Sequence, residues 1–338
     1  MPLEVQANEV EREIFERELD SFVPDRILDG HAHMWLSAPT EAITHDDLRP
    51  WMAEDMTLSE YRRHMDVMIP GRTFGGLILV LPPGIHGQPP TTEERVGQLA
   101  EHIAKEVGSD PLCRSTMFVS PKIDPDFVRQ EVQRLNIGGL KCYQTESPRE
   151  QSRDSEVPEF LPEEFVRIAD DLGLFLTLHM AKARGISDPS NQHWIRTHCE
   201  KYPNVKLILA HAASSFNPVW AMEGIEALKG IPNVYCDMGA IGEVGSAEAI
   251  IEHLGHDRLL WATDFPISHW RGNYVAFGAE MAWIGPDSYS GAKKDMFILH
   301  GIEQLRVIKQ AAWHRRLNDS QVEDIFFNNL AGVLNVTG

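Results

Sequence analysis

Short apolar runs alternate with amphipathic stretches along most of this chain. The runs are nearly continuous in Val, Ile, Leu and Phe, which is typical of parallel strands that are buried on both faces. Eight strand–helix units of this kind favour a closed α/β barrel, a (β/α)8 TIM-like barrel, over an open doubly wound sheet. The predicted strands cover residues 26–33, 76–81, 115–119, 139–143, 174–179, 205–211, 234–238 and 259–264.

Apolar positions at helical spacing separate these strands. Asp124 followed by Pro125 is typical of a helix start, and Ser320 with Glu323 has the form of a capping box that opens a final helix. The predicted helices that precede this final one cover residues 58–68, 92–107, 124–135, 162–172, 189–201, 217–228, 246–254 and 299–315.

The two ends of the chain complete the prediction of a single domain with loop insertions. Residues 7–20 are charged, with apolar positions near helical spacing, and predict a helical arm that Pro24 ends. We therefore divide the chain into an N-terminal helical arm, 1–24, and a barrel, 25–338. An insertion at 267–296 follows the last strand, and we expect the arm and this insertion to offer contacts for a homo-oligomer.

Composition narrows the classes of partner and compartment. The 338 residues carry a formal net charge of −19, which disfavours nucleic acid and anionic membranes as partners. An anionic substrate stays compatible with this net charge, because a metal and a few arginines can make the binding site positive locally. No apolar run approaches the ~18 residues that span a bilayer, and no signal-peptide pattern opens the chain. Four cysteines without CxxC spacing indicate reduced thiols, so we expect a cytoplasmic protein.

Candidate chemistry begins at the end of the first predicted strand, Asp29-Gly30-His31-Ala32-His33-Met34-Trp35. A strand places residues i and i+2 on one face, so His31 and His33 face the same way and form half of a divalent-metal site. Three later strands end on His179, His211 and Asp264. Because barrel enzymes build their active sites at the carboxyl ends of the strands, we expect all five side chains to meet there.

These residue types suit metal-assisted chemistry. Neutral imidazoles and a carboxylate are ligands for Zn²⁺, Mn²⁺ or Fe²⁺, and such a metal lowers the pKa of its water towards ~7. Asp264 is placed to bind the metal and to accept the proton of the water. His211 or Asp264 is the candidate general base or acid.

The motifs as a set resemble the amidohydrolase superfamily, in its second large branch. That branch holds decarboxylases of the aminocarboxymuconate-semialdehyde and resorcylate types, together with sugar and pyrone lactonases. The resemblance runs through Asp-Gly-His-Ala-His-Met-Trp, Gly-Leu-Lys-Cys-Tyr, Leu-Ala-His, Ala-Thr-Asp-Phe-Pro and a closing Asn-Asn-Leu-Ala. It implies a distorted barrel with one divalent metal, zinc first, held by His31, His33, His179 and Asp264. It also implies that His211 is the acid/base beside the metal.

Substrate-binding candidates follow from the same arrangement. Binuclear members of the superfamily carry a carboxylated, metal-bridging lysine on the fourth strand, where this chain has Lys141. The mononuclear branch favours a salt bridge or a substrate contact for Lys141 instead. Arginines and histidines in the loops after strands 5 and 8 are placed to hold a substrate carboxylate. The predicted substrate-binding residues are Trp35, Lys141, Tyr143, Arg184, His269 and Arg271.

Two reactions stay open at this point, both on a small molecule. The first is hydrolysis of a small ester, lactone or amide, because His-Ala-His-Met-Trp looks like the opening motif of the lactonases of this branch. The second is non-oxidative decarboxylation of an aromatic or muconate-like acid, because residues 195–211 look more like the decarboxylases. A non-catalytic metal-binding protein is a third alternative, which would be expected to lack a complete ligand set.

Overall fold

Eight parallel strands form one sheet in which every strand pairs with its neighbours in chain order. The computed structural model describes residues 5–37, 52–84, 88–108, 110–180, 182–288, 291 and 293–336. The first and last strands close the sheet, since the N–H of Gly30 donates to the carbonyl of Trp261 at 2.9 Å and the N–H of His33 donates to that of Phe265 at 3.0 Å. The fold is therefore a (β/α)8 barrel, as the hydrophobic pattern predicts.

The strands of the barrel are short and almost wholly buried. They are β1 Arg26–Met34, β2 Thr73–Val80, β3 Cys113–Phe118, β4 Gly139–Tyr143, β5 Phe175–His179, β6 Lys206–Leu209, β7 Val234–Asp237 and β8 Leu259–Leu260. A separate antiparallel hairpin, β9 Asn273–Phe277 and β10 Glu280–Ile284, lies within the predicted insertion.

Helices alternate with these strands. Two begin at the residue that the sequence predicts, Leu58 and Pro189, and the helices predicted from 92 and 124 begin one residue later. Thr57 and Thr92 accept a backbone N–H through their side chains, and Asp124 and Asp188 do so ahead of a proline. The helices are α1 Glu9–Ile14, α2 Leu58–Met68, α3 Glu93–Val107, α4 Pro125–Leu135, α5 Val157–Phe160, α6 Glu163–Leu172, α7 Pro189–Lys201, α8 Ala210–Ser214, α9 Pro218–Gly224, α10 Val244–His253, α11 His300–His314, α12 Asp319–Glu323 and α13 Asn329–Leu334.

Several predicted boundaries are wrong: β2, β3 and α10 begin two or three residues before the predicted positions, and three further differences have a local cause. Strand β6 stops at Leu209 because the backbone turns left-handed at His211. Strand β8 pairs with β7 only over Leu259–Leu260, after which the chain turns towards β1. The capping box of α12 is formed by Asn318 with Gln321, so Ser320 lies inside the helix instead of opening it.

The turn after β6 has an unusual backbone. Residues His211, Ala212, Ala213 and Ser214 have φ of 57°, 50°, 60° and 58°, and the N–H of Ser215 donates to the carbonyl of His211 at 2.8 Å. The element labelled α8 is therefore a left-handed turn, a conformation that costs about 1–2 kcal/mol for each L-residue. It brings the side chain of His211 to the carboxyl end of the barrel.

The N-terminal arm packs on the barrel. Phe15 and Leu19 belong to the main hydrophobic core, and α1 is capped by Asn8. The carboxylate of Glu11 is buried and accepts hydrogen bonds from Nε of Arg271 at 2.8 Å and from the N–H of Leu299 at 2.9 Å. The division into an arm, 1–24, and a barrel, 25–338, stays a prediction, and residues 1–4 and 337–338 lie outside the described part.

Two further sequence expectations concern thiols and membranes. All four cysteines are free and buried, as expected for reduced thiols. Within the described ranges, no helix combines the length and the apolar character needed to cross a bilayer.

Candidate active site

The carboxyl end of the barrel gathers a buried group of histidines and carboxylates. His31 and His33 lie near the end of β1, His179 ends β5 and Asp237 ends β7. His211 follows β6 directly, and Asp264 follows β8 by a few residues. Strands of the barrel therefore bring together residues that are up to 233 positions apart in the chain, from His31 to Asp264.

Three ligand atoms converge in this group. Nε2 of His31 lies 3.2 Å from Nε2 of His33, and Oδ1 of Asp264 lies 3.5 Å from the first and 3.4 Å from the second. Among the described residues, the groups with ligand atoms within 4.8 Å of one another are His31–His33–Asp264 and His31–His211–Asp237. The first group has the spacing expected of ligands around one cation.

The other ring nitrogens of the two histidines are already engaged. Nδ1 of His31 lies 2.9 Å from a carboxylate oxygen of Asp237, and Nδ1 of His33 lies 3.1 Å from the carbonyl of Val80. Both partners are acceptors, so each Nδ1 carries the proton and each Nε2 carries a lone pair. Burial lowers the pKa of His33 to about 3 and that of His31 well below its usual value, which keeps both rings neutral.

Asp264 completes an electron-rich set. Burial raises the pKa of its carboxyl to about 6, against the opposing effect of the neighbouring His211. Two imidazole lone pairs and a carboxylate oxygen then face one another at short range, an arrangement that is repulsive until a cation or a proton lies among them. The donor set therefore fits a divalent metal such as Zn²⁺, Mn²⁺ or Fe²⁺.

His211 lies beside these ligands, not among them. Its ring centroid is 4.9 Å from that of His31, and its Nδ1 lies 2.8 Å from the carbonyl of Gly239. Nδ1 therefore donates to that carbonyl, and Nε2 is left as the basic nitrogen. Nδ1 also lies 3.9 Å from Oδ2 of Asp264.

His179 occupies the same end of the barrel but belongs to neither of the two close groups that the described residues form. Its ring stacks on Tyr143 with centroids 4.5 Å apart and meets His211 edge-on at 4.9 Å. Its role as a metal ligand stays a prediction.

Lys141 is buried beside the ligands. Its Nζ lies 4.7 Å above the ring of Tyr143 and has no hydrogen-bond partner in the part of the chain that the structure describes. Burial lowers the pKa of this ammonium to about 8, and the carboxylate of Asp237 opposes the shift. A buried cation beside a candidate metal site, without a hydrogen-bond partner among the described residues, is chemically suited to hold a substrate anion.

The other predicted substrate-binding residues are engaged elsewhere. Trp35 is fully buried, stacks on Phe265 and donates to the carbonyl of Ala53. His269 is buried and its Nε2 contacts the carbonyl of His64.

Both predicted arginines make ion pairs outside the group. Arg184 pairs with Glu223 with 59% of its side chain exposed, and Arg271 pairs with the buried Glu11 of the arm. The structure brings neither to the ligands, because the loops after β5 and β8 direct them to the surface and to the arm.

Sequence reasoning missed two carboxylates that organise the site. Asp29 accepts the N–H of His31 at 2.9 Å, the N–H of Thr263 at 3.0 Å and the hydroxyl of Tyr61 at 2.7 Å, and burial raises its pKa to about 6. Asp237 contacts His31 and His211. A signal for both exists: Asp29 is two residues before His31 on the same strand, and Asp237 ends a barrel strand.

A parallel barrel with buried histidines and carboxylates at this end belongs to the class of metal-dependent barrel enzymes. A family model described as Amidohydrolase matches residues 28–287. The chain belongs to this family, whose members are metal-dependent, and the family resemblance drawn from the sequence is confirmed.

Individual relatives include both hydrolases and decarboxylases. The chain is 27% identical over 112 residues to an L-fucono-1,5-lactonase from Burkholderia ambifaria, a match that covers 26% of this chain and 38% of that curated relative. A 2,6-dihydroxybenzoate decarboxylase from Rhizobium has a TM-score of 0.59 at 13% identity over 93% of this chain and 99% of the other. A dihydroxybenzoic acid decarboxylase from Polaromonas sp. with bound manganese has a TM-score of 0.57 at 15% identity over 92% and 97%. At these identities the structural matches establish a shared fold.

Proposed function

We propose that this protein is a metal-dependent hydrolase of a small ester, lactone or amide. The observation that carries the proposal is the convergence of Nε2 of His31, Nε2 of His33 and Oδ1 of Asp264 within 3.5 Å of one another. A buried set of two neutral imidazoles and a carboxylate suits one divalent metal and leaves coordination positions for a water and a substrate. The sequence match to a lactonase supports hydrolysis.

We assign the metal to His31, His33 and Asp264, with His179 as a fourth ligand and zinc as the first choice, ahead of manganese or iron. A metal held there would lower the pKa of a water and polarise the substrate carbonyl. Because Nδ1 of His31 and of His33 already has an acceptor, both rings present Nε2 without a change of tautomer.

Two side chains are assigned to move protons. Oδ2 of Asp264 faces His211 and is the atom that receives the proton of the attacking water. Nε2 of His211, the basic nitrogen, takes this proton from Asp264 and delivers it to the leaving group, while its Nδ1 stays bonded to the carbonyl of Gly239 at 2.8 Å and fixes the ring. The left-handed turn that carries His211 keeps this ring at the carboxyl end of β6.

Lys141 and Tyr143 are assigned to substrate binding. The Lys141 ammonium has no hydrogen-bond partner among the described residues and lies over the Tyr143 ring, which is itself 6.5 Å from His33 between centroids. A substrate carboxylate would pair with this cation and cover the ring. We therefore expect an anionic substrate in spite of the overall negative charge of the chain.

The same cation supports a second candidate function, non-oxidative decarboxylation of an aromatic or muconate-like acid. In that reaction Lys141 holds the carboxylate in the site, and Nε2 of His211, after taking up a proton from solvent, gives it to the carbon whose bond to carbon dioxide breaks. Both functions use the same ligands, so the difference lies in the bond that breaks.

A parallel assay separates the two functions. Full-length protein loaded with zinc or manganese is offered sugar 1,5-lactones, followed by proton release, amides, followed by amine release, and dihydroxybenzoates, followed by carbon dioxide release. Metal-free protein and the His211→Asn variant are the controls. Proton or amine release that depends on metal supports hydrolysis, and carbon dioxide release supports the alternative. Binding of metal with neither activity on either panel would contradict both.

A further inference from the structure

One buried carboxylate contacts both the candidate metal ligands and the candidate acid/base. Asp237 is fully buried at the end of β7. Its Oδ2 lies 2.9 Å from Nδ1 of His31, and its Oδ1 accepts the backbone N–H groups of His211 and Gly239, each at 3.0 Å. Among the described residues, the hydrogen bonds of this side chain therefore go to His31, to the backbone of His211 and to the loop that follows β7.

We propose that Asp237 is a positioning residue that sets the tautomer of His31 and holds the start of the left-handed turn that carries His211. This inference rests on the proposed metal centre and assigns no contact between Asp237 and the substrate. It links the ligand on β1 to the acid/base after β6 through one side chain on β7.

The tautomer follows from hydrogen-bonding capacity. An ionised carboxylate only accepts, so Nδ1 of His31 must be the donor and Nε2 must carry the lone pair. The two backbone N–H groups occupy Oδ1, so Oδ2 is the oxygen that faces Nδ1 of His31. Oriented in this way, Nε2 of His31 points towards Nε2 of His33 and Oδ1 of Asp264, the arrangement that a metal requires.

The contact with the turn concerns its first residue. Oδ1 of Asp237 holds the N–H of His211 at the point where φ becomes positive, and the carbonyl of Gly239, two residues after Asp237, accepts from Nδ1 of the same histidine. On the other side of the turn, Gly185 packs directly against its backbone: a Cβ added to Gly185 would lie 2.7 Å from the carbonyl oxygen of Ser214. The strained turn is therefore held by contacts on two sides.

The Asp237→Asn variant separates positioning from simple filling of space. Its amide oxygen must face the two backbone N–H groups, since the amide nitrogen would meet them as a second donor. The amide nitrogen then donates to Nδ1 of His31, which forces the proton of that ring onto Nε2. The fold is retained, but the lone pair of Nε2 is lost from the metal site. A merely structural carboxylate would show no such effect on metal binding.

The experiment measures the tautomer and the metal affinity directly. Full-length protein with ¹⁵N-labelled histidine is freed of metal, and long-range ¹⁵N–¹H spectra report which ring nitrogen of His31 is protonated, with His31→Gln used for assignment. Zinc affinity is measured by competition with a chromogenic chelator. The matched control is Glu146→Gln, which removes another buried carboxylate of the loops at this end of the barrel, bonded to Thr91 and Ser120.

We expect wild-type His31 to carry its proton on Nδ1 and Asp237→Asn to carry it on Nε2, with zinc affinity about 10–100-fold lower in the variant and unchanged in Glu146→Gln. Wild-type affinity in Asp237→Asn, or an Nε2 proton in the wild type, would overturn the inference. If circular dichroism shows that Asp237→Asn does not fold, the ¹⁵N–¹H spectrum of the wild type still tests the inference, because it reports which ring nitrogen of His31 is protonated. Wild-type protein that binds no zinc would defeat the proposed function, and the tautomer would still test this inference.

Discussion

Nε2 of His31 and Nε2 of His33 lie 3.2 Å apart, with the opposite nitrogen of each ring bonded to an acceptor. Two neutral imidazoles held in this way present lone pairs to each other. A cation between them converts the repulsion into binding energy, and this relationship is the basis of the first prediction.

Removal of metal is expected to lower stability. A ligand that binds only the folded state, at 100 times its Kd, raises the free energy of unfolding by about 2.7 kcal/mol. We expect chelator-treated protein to melt at a lower temperature and to recover on addition of zinc, with one metal per chain by elemental analysis. The double variant His31→Gln/His33→Gln should show no response to zinc. Two metals per chain would contradict the mononuclear centre and make Lys141 a candidate bridging ligand.

Lys141→Met is expected to weaken the binding of an anionic substrate and to stabilise the folded protein. The variant removes a fully buried ammonium that has no hydrogen-bond partner among the described residues, so the free energy of unfolding should rise. KM for an anionic substrate should rise about 10–100-fold, the equivalent of a lost charged hydrogen bond. Urea unfolding and steady-state kinetics measure the two effects. Unchanged KM would remove Lys141 from the substrate-binding residues, and Tyr143→Phe serves as the control that keeps the ring.

Two arginines predicted from the sequence to bind substrate provide a matched pair. Arg271→Met leaves the buried Glu11 without its ion pair and should lower the free energy of unfolding by about 3 kcal/mol. Arg184→Met breaks an exposed pair with Glu223 and should change it by less than about 1 kcal/mol. Neither should alter KM. A raised KM with intact stability in either variant would restore that arginine as a substrate-binding residue.

The cysteines are expected to be unreactive in the folded protein. Burial raises the pKa of Cys113, Cys142 and Cys199 to about 12 and that of Cys236 still further, so none forms a thiolate at pH 8. A thiol reagent at that pH should label the native protein slowly and label four thiols after unfolding. Rapid labelling of one thiol in native protein would indicate local opening around it.

Acid is expected to destabilise the protein in part through His300. This ring is buried against Tyr274 and Trp283, and burial lowers its pKa to about 4. Because the unfolded chain binds the proton near pH 6.5, the contribution of His300 is complete above that pH and is lost as pH falls towards 4, by up to about 1.4 kcal/mol for each unit. Asp29, with its pKa raised to about 6, acts in the opposite direction over the same range.

The difference between wild type and His300→Phe isolates this effect. Urea unfolding between pH 7.5 and 4.5 should show a shallower decline in the variant. Parallel declines would assign the acid sensitivity to other buried groups.

The barrel could be predicted because burial on both faces of a parallel sheet leaves a clear apolar pattern, and the bounds of α2, β4 and α7 match the prediction residue for residue. The end of β6 could not, because a left-handed turn at Ala212 and Ala213 leaves no trace in hydrophobic periodicity. The end of β8 could not either, because it depends on where the chain leaves β7 and turns towards β1.

The convergence of His31, His33 and Asp264 followed from strand ends, which a barrel brings to one side. The contacts of Asp237 depend on the register between strands, and those of Arg271 depend on the direction of the loop after β8. The local hydrophobic pattern contains no information about register or loop direction. Their roles, like that of His179, stay predictions until the variants are measured.

The hydrogen bonds from Arg271 and Leu299 of the barrel to Glu11 of the arm have a consequence for synthesis of the chain. Glu11 and its donor Leu299 are 288 residues apart, which takes about 15–60 s to translate at bacterial and eukaryotic rates of 5–20 residues per second. During that interval the carboxylate has neither the N–H of Leu299 nor the guanidinium of Arg271, and the histidines on β1 have no Asp264. The arm leaves the ribosome before the barrel but makes these contacts only after Leu299 has been made, so a chain that ends before Asp264 would expose its arm to proteases and would lack the complete set of candidate metal ligands.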